Sequence, residues 1–225
     1  MPRAARTQKL ALIVLLATTA LLIVVGTIWG IRYLRARQAQ TAAQSTDFPL
    51  TGFPMTGSLA PDFTLTDQFN HQLTLSSLHG HEVVLAFIDS RCMTLCPLTS
   101  NIMYSAKAQL SPAETGLVDL VAVNANPTAT SVATVQAWSI AHGMLNQWSF
   151  LTGSSQQLWT IYHAYNVAVQ TTADGQAEHE ALTLIIDAQG HERLSFETLD
   201  SNNQIDLKDE EEGLVIGMRQ WLPHA

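Results

Sequence analysis

The amino-acid sequence predicts an α/β sandwich, a central mixed sheet flanked by helices, behind a single N-terminal membrane-spanning helix. Three observations carry this. Three apolar runs, Glu82–Asp89, Leu117–Ala125 and Ala181–Asp187, have the length and continuity of strands buried on both faces. Segments with helical spacing of apolar residues lie between and after them. Near the N-terminus, residues 10–31 run without a charge.

The elements follow in order. "LALIVLLATTALLIVVGTIWGI", residues 10–31, is long enough at about 1.5 Å per residue to cross a hydrocarbon core of roughly 30 Å. The apolar part of a cleavable signal peptide is shorter, about 7–15 residues, so the segment reads as an uncleaved anchor. Arg3, Arg6 and Lys9 flank one end and Arg32, Arg35 and Arg37 the other, so the basic residues do not set the orientation. The short tail, residues 1–9, favours the tail in the cytoplasm and the domain outside. The expected location is therefore the cell membrane, single-pass, with an extracytoplasmic domain. Residues 32–56 are polar and rich in small residues and read as a tether. The folded domain is expected over 57–225.

Within it, Phe63 and Leu65 alternate, a turn follows at Asp67–Asn70, and Leu73 and Leu75 alternate again, a hairpin pattern. The strand at Glu82–Asp89 leads directly into "SRCMTLCPLTS". Leu98, Ile102, Ala106 and Leu110 then mark a helix beginning near Cys96 or Pro97, because proline is tolerated in a first turn. After the strand Leu117–Ala125, "PTATSVATVQAWSIAHGM" offers Thr and Ser caps to a helix. "WSFLTG" is a short extended piece and "SSQQLWTIYHAYNV" a helix. "ALTLIID" and "HERLSFET" pair across the turn "AQG". "DLKDEEEGLVIGMRQWL" closes the chain as a helix with its acids in the first turn, where the helix dipole favours them. This order is that of a thioredoxin-like sandwich. Trp138, Trp148, Trp159 and Trp221 read as core or helix packing.

Composition narrows the function. A chain of 225 residues with 47% hydrophobic content can build one core without disulfide staples. Beyond residue 40 lie 19 acids and only five bases, a formal charge of −14. Such a domain is repelled by phosphate backbones, which argues against nucleic acid.

Cys92 and Cys96 are the chain's two cysteines, at the carboxyl end of the first long strand, where open α/β sheets place their sites. A spacing of four on a first helical turn puts both on one face, roughly 5–6 Å apart at Cβ. They can close a disulfide or share a metal ion, and a helix N-terminus makes thiolate available for either. Two thiolates are too few for structural zinc; with an imidazole they suit Cu(I). The third ligand must come from eight histidines. His71, His79 and His81 cluster around the first hairpin, His142 and His163 lie on helices, His191 begins a strand, and His224 is in the tail. His179 closes the polar loop "TTADGQAEHE" ahead of the third strand, where a thioredoxin-like sheet turns that loop toward the cysteine-bearing helix.

Together these residues resemble the Sco/SenC family, membrane-anchored copper-binding proteins of cytochrome c oxidase assembly. The resemblance covers about residues 57–222 and includes "GSLAPDFTLTDQFNHQLTLSSLHGHEVVLAFID", "CMTLCPLTS", "VNANPTATSVATVQAWSIAHG", "WSFLTGSSQQLWTIYHAYNV" and "HEALTLIIDAQG". It implies copper, as Cu(I) and also Cu(II), bound by Cys92, Cys96 and His179. It implies as partner the oxidase's copper-site subunit or another copper or thiol protein. Met93 and Thr94 stand where the family usually has Pro and Asp, and Arg91 makes the local field more positive. That favours thiolate and opposes a bound cation.

Two other chemistries stay open. In a thiol–disulfide oxidoreductase, Cys92 would attack a partner disulfide and Cys96 would resolve the mixed disulfide. A peroxiredoxin-like peroxidase would need Thr three residues before the reactive cysteine; those positions hold Asp89 and Met93.

Overall fold

The computed structural model describes residues 52–173, 175–198 and 204–223. The expected anchor at 10–31 and the tether up to residue 51 lie outside the described residues. Among those described, no helix is long and apolar enough to cross a membrane.

A six-stranded mixed sheet organises the domain, in the order β1 (Phe53–Pro54), β10 (Glu192–Glu197), β9 (Leu182–Ile186), β4 (Glu82–Ile88), β5 (Val118–Asn124), β6 (Ser149–Leu151). The central strand β4 (Glu82–Ile88) is buried along its whole length. It runs parallel to β5 (Val118–Asn124) and antiparallel to β9 (Leu182–Ile186), so neither edge faces water. Both faces are covered too. Val84, Ala86 and Ile88 pack with Ile102, Met103 and Ala106 of α1 (Leu95–Ala108) and Leu214 and Met218 of α5 (Gln204–Trp221). Val83, Leu85 and Phe87 pack on the opposite face with Leu158, Ile161 and Tyr162 of α4 (Ser155–Ala164). Each large apolar side chain so buried contributes about 1.5–3 kcal/mol, so β4 is the rigid base of whatever its carboxyl end carries.

β6 (Ser149–Leu151) extends the parallel half beyond β5. On the other side β10 (Glu192–Glu197) pairs antiparallel with β9. β1 (Phe53–Pro54) adds the edge, with Phe53 opposite Ser195. Phe53 and Pro54 were expected in the tether; β10 offers them an open edge, and the sheet therefore starts before residue 57. The predicted first hairpin is present as β2 (Thr64–Thr66) and β3 (Gln72–Thr74). A second small ribbon, β7 (Val169–Thr171) and β8 (Ala177–His179), occupies the stretch expected to be a loop.

Serines cap three of the helices, and Ser131 among them lies where the sequence offered a cap. Ser131 caps α3 (Val132–Ala141), accepting from Thr134 N–H. Ser154 and Gln157 form a reciprocal capping box on α4, and Ser111 and Glu114 another on the single turn α2 (Pro112–Thr115). α5 begins at Gln204, so the acidic run Asp209–Glu212 falls in its second turn and not the first. Burial holds one of these acids instead of the dipole. Glu210 Oε1 accepts from Thr198 Oγ1 at 2.8 Å, and Thr198 accepts from Thr99 Oγ1 of α1 at 3.0 Å. Burial pushes the Glu210 carboxyl up to about 7 despite that bond.

Candidate functional site

Strand β4 ends at Ile88, and the chain must turn before α1 starts at Leu95. Asp89 makes the turn: its carboxylate accepts the Arg91 N–H at 2.7 Å, and its carbonyl accepts the Cys92 N–H at 3.0 Å. Asn124, at the end of β5, holds the same turn from the side, with Oδ1 accepting the Ser90 N–H at 3.3 Å. Trp138 of α3 holds it from below, its indole N–H donating to the Cys92 carbonyl at 3.1 Å. Trp138 is itself fixed by stacking on Trp148, 5.5 Å between ring centroids.

Cys92 is half-buried in this turn, and Cys96 is the buried second residue of α1. Thr94, the N-cap residue, makes no side-chain cap. The cap comes from sulfur: the Cys96 N–H donates to Cys92 Sγ at 3.4 Å, and Thr94 Oγ1 lies 3.6 Å from the same sulfur. A helix N-terminus favours negative charge, and this one has no acid in its first turn. The Cys92 thiol is pushed down to about 4. The largest cause is the hydrogen bond from the Cys96 side chain; the Cys96 and Thr94 N–H groups add to it, against the cost of burial. Cys96 is pushed far up, by that bond to Cys92, by burial, and by the Cys92 charge. One cysteine is therefore a thiolate at neutral pH and the other holds its proton. No disulfide joins them in this structure.

His179 ends β8 and faces the pair. Its Nε2 lies 3.5 Å from Cys96 Sγ. Its Nδ1 lies 2.8 Å from the Glu180 carbonyl, which can only accept. Nδ1 therefore carries a proton, and this bond fixes the ring with Nε2 toward the sulfur. An outer acceptor that fixes the tautomer in this way is what a ligand histidine needs. The three residues singled out in the sequence thus converge pairwise, across 83 residues of chain between Cys96 and His179. They do not yet surround one point: among the described residues no group of three or more His, Cys, Asp or Glu side chains is set to hold a metal ion.

Arg91, next to Cys92 in the chain, reaches away to the hairpin: its Nη1 donates to the Gly175 carbonyl at the tip of the β7–β8 ribbon, 3.1 Å away.

Other histidines have different neighbours. His71 lies 3.6 Å from Asp67, His81 2.9 Å from Asp119 and His191 3.5 Å from Asp187. His142 rests on Trp138, His163 stacks on Trp159, and His79 lies against Gly190. His224 lies outside the described residues. Sequence reasoning took Trp138 for packing alone; its N–H bond to Cys92 is invisible in spacing. It also missed Asn124 and Gly175, although "NANPT" straight after a buried strand signals a turn built on side-chain amides.

A protein-family model described as SCO1/SenC matches residues 54–209. No curated protein matches the chain by sequence. Among solved structures, copper-bound ScoI from Bradyrhizobium japonicum is 21% identical, with 73% of this chain and 100% of that chain covered and a TM-score of 0.61. BsSco, described with a disulfide switch and as a member of the Sco family of cytochrome c oxidase assembly proteins, is 19% identical over 73% of this chain and 98% of its own, with a TM-score of 0.56. The thioredoxin domain of a thiol-disulfide oxidoreductase from Bacteroides vulgatus is 14% identical over 75% and 99%, with a TM-score of 0.52. At these identities the likeness is one of fold, and that fold is thioredoxin-like.

Proposed function

The chain belongs to the SCO1/SenC family, and on that premise we propose that it is a membrane-tethered copper-binding protein that delivers copper to cytochrome c oxidase during its assembly. One observation carries the reading. His179 Nε2 faces Cys96 Sγ at 3.5 Å, with Nδ1 tied to a carbonyl. Two sulfurs and one neutral imidazole are a donor set for soft Cu(I), and the imidazole also suits Cu(II).

The residues divide the work. Cys92 supplies a thiolate without any base, because the helix N-terminus and the Cys96 groups stabilise it. Cys96 gives up its proton when the ion arrives, and His179 Nε2 completes the set. No acid stands in the first turn of α1 to compete for the ion. Release is by ligand exchange with the thiols and imidazoles of an acceptor such as the oxidase's copper-site subunit. The uncharged segment 10–31 supports a single membrane anchor with the domain on the extracytoplasmic side. There the cysteines meet copper and oxidants and escape cytosolic reductants.

A second reading rests on Cys92 itself, a half-exposed thiolate beside a protonated partner. Cys92 Sγ attacks a partner disulfide, forms the mixed disulfide and expels one partner thiolate. Cys96, deprotonated as it attacks, takes Cys92 Sγ and expels the second. Two electrons pass to the partner and a Cys92–Cys96 disulfide remains. The same pair can prepare an acceptor's thiols and then load them.

Copper stoichiometry and Cu(I) affinity of the full chain in detergent, by competition with a chromophoric chelator, test the first reading. One ion per chain is expected. Cys92→Ser and Cys96→Ser should abolish tight binding, and His179→Ala should weaken it by at least about tenfold. Unchanged affinity in His179→Ala removes His179 from the site. Rapid disulfide reduction by a chain that binds no copper selects the second reading.

A further inference from the structure

The hairpin that carries His179 has little to hold it. β7 and β8 are three residues each, and of the six only Val169 is buried. A two-stranded ribbon of this size is not stable alone in water. At its base the Glu180 N–H donates to the Ala168 carbonyl at 3.4 Å, which continues the ribbon's own ladder by one rung. Its tip is held by something else. The Gly175 carbonyl accepts from Arg91 Nη1 at 3.1 Å and from Asn126 Nδ2 at 3.2 Å. Thr128 Oγ1 lies 3.0 Å from the same oxygen and 2.7 Å from Asn126 Oδ1, and its single proton goes to one or the other. Asn126 is oriented without ambiguity, because its Oδ1 accepts the Thr128 N–H at 2.9 Å, which turns Nδ2 to the hairpin. Asn126 is fully buried and its own N–H is held by Asn124.

We infer that Arg91, Asn126 and Thr128 form a latch on the Gly175 carbonyl, and that this latch positions His179 against Cys96. The inference rests on the copper-site reading above and adds to it the residues that present the histidine. The donors come from the two loops at the carboxyl ends of β4 and β5, so the tip is fastened to the same base that carries the cysteines. The Arg91 N–H is itself fixed by the Asp89 carboxylate at 2.7 Å, so the guanidinium reaches the hairpin from an anchored turn. Gly175 suits this contact because it has φ +79 and no side chain. A Cβ there would stand 2.9 Å from Arg91 Nη1 and 3.5 Å from Thr128 Oγ1. The latch closes one end of strand β8 and His179 stands at the other, four residues away, about 13 Å in extended chain.

The test uses the full chain in detergent, with two readouts. Arg91→Met should speed amide exchange in Val169–Thr171 and Ala177–His179 and leave β4 and β5 unchanged. It should weaken Cu(I) affinity about tenfold, the scale of lost outer-shell support, and Arg91→Lys should restore most of it. Gly175→Ala, which wedges the latch from the other side, should do the same. In a His179→Ala background neither substitution should change the affinity further, because the latch acts only through that ring. An equal loss in both backgrounds, or no loss in the parent, overturns the inference. If the parent chain binds no Cu(I), the copper reading has failed. The latch is then judged by exchange alone, and unchanged exchange in the hairpin rejects it.

Discussion

Cys92 Sγ accepts the Cys96 N–H at 3.4 Å, so a sulfur does for α1 what a serine oxygen does for α2, α3 and α4. Cys92 stands two residues ahead of the N-cap Thr94, so the acceptor reaches the first turn from the preceding loop. A serine oxygen that accepts such a bond stays neutral, whereas the Cys92 sulfur becomes a thiolate.

The reactivity of the two cysteines should therefore differ sharply. With its thiol at about 4, Cys92 should alkylate with iodoacetamide at a rate nearly flat from pH 6 to 8 and falling only as pH approaches 4. Cys96, buried and pushed up, should stay unmodified until the chain unfolds. Mass spectrometry of the alkylated peptides reads both. The stability sign follows. A depressed folded value means the unfolded chain binds more protons between pH 9 and 4, so this contribution is full above pH 9 and fades as pH falls toward 4. Cys92→Ala should lose it and the cap, about 0.5–2 kcal/mol for the cap alone. A rate for Cys92 that climbs tenfold per pH unit through neutrality would show an ordinary thiol.

Trp138 should act on the cysteine turn as well as on the core. Trp138→Phe keeps a ring against Trp148 and Phe150 but removes the donor to the Cys92 carbonyl. The lost bond should cost about 1 kcal/mol in urea unfolding. Amide exchange at Arg91 and Cys92 should accelerate beyond that global change. If exchange rises only in proportion to global stability, Trp138 is packing and nothing more.

How much of this was legible in the sequence depends on what marked each piece. β4, β5 and β9 were legible because a strand buried on both faces has to be apolar along its length, and theirs are. The cap Ser131 was legible because a side-chain oxygen before a helix has few other uses; the capping box of Ser154 and Gln157 was not read from "SSQQ". β7 and β8 were not. "VQT" and "AEH" lie on the surface, and their pairing is set by the tip contacts of Gly175, not by alternation. β1 was missed because two residues at a sheet edge have no period. The approach of His179 to Cys96 was legible from topology alone, since the segment entering β9 passes the carboxyl end of β4. The donors that hold that approach were not, because Arg91, Asn126 and Thr128 are polar residues in loops, and only their shared acceptor distinguishes them.

Oxidation and copper should exclude each other. A Cys92–Cys96 disulfide consumes both sulfurs, so the full chain treated with diamide should take up no Cu(I), and reduction should restore uptake. Oxidation also removes the charged acceptor of the Cys96 N–H. Amide exchange at Cys96 should speed up in the oxidised chain, while that of Thr134 and Gln157, which have serine caps, should not. Copper uptake by the fully oxidised chain would place the ion elsewhere.

The last prediction concerns the far end of the same strand. Glu82 opens β4 and is fully buried, and neither carboxyl oxygen has a hydrogen-bond partner. Burial pushes it up to about 9, with the nearby Asp187 charge adding to the shift. Asp187 stays ionised: burial opposes its charge, but the His191 and Gln189 N–H groups and Arg193, 2.6 Å away, outweigh it. Glu82 is thus neutral in the folded chain across the range where it ionises on unfolding. The folded state then binds more protons than the unfolded one between pH 4.5 and about 9. Stability from this group is full below pH 4.5 and is lost as pH rises toward 9, at a limiting slope of about 1.4 kcal/mol per pH unit. Glu82→Gln keeps the shape and removes the charge. Relative to the parent, its stability should rise steadily from pH 5 to 9, so that the gap in melting temperature between the two widens with pH. The slope left in Glu82→Gln is set by Glu210, which works against stability up to about pH 7, and by Cys92, whose depressed thiol works the other way as pH rises. Parallel melting curves for parent and Glu82→Gln across that range would show that Glu82 finds a partner or water when charged.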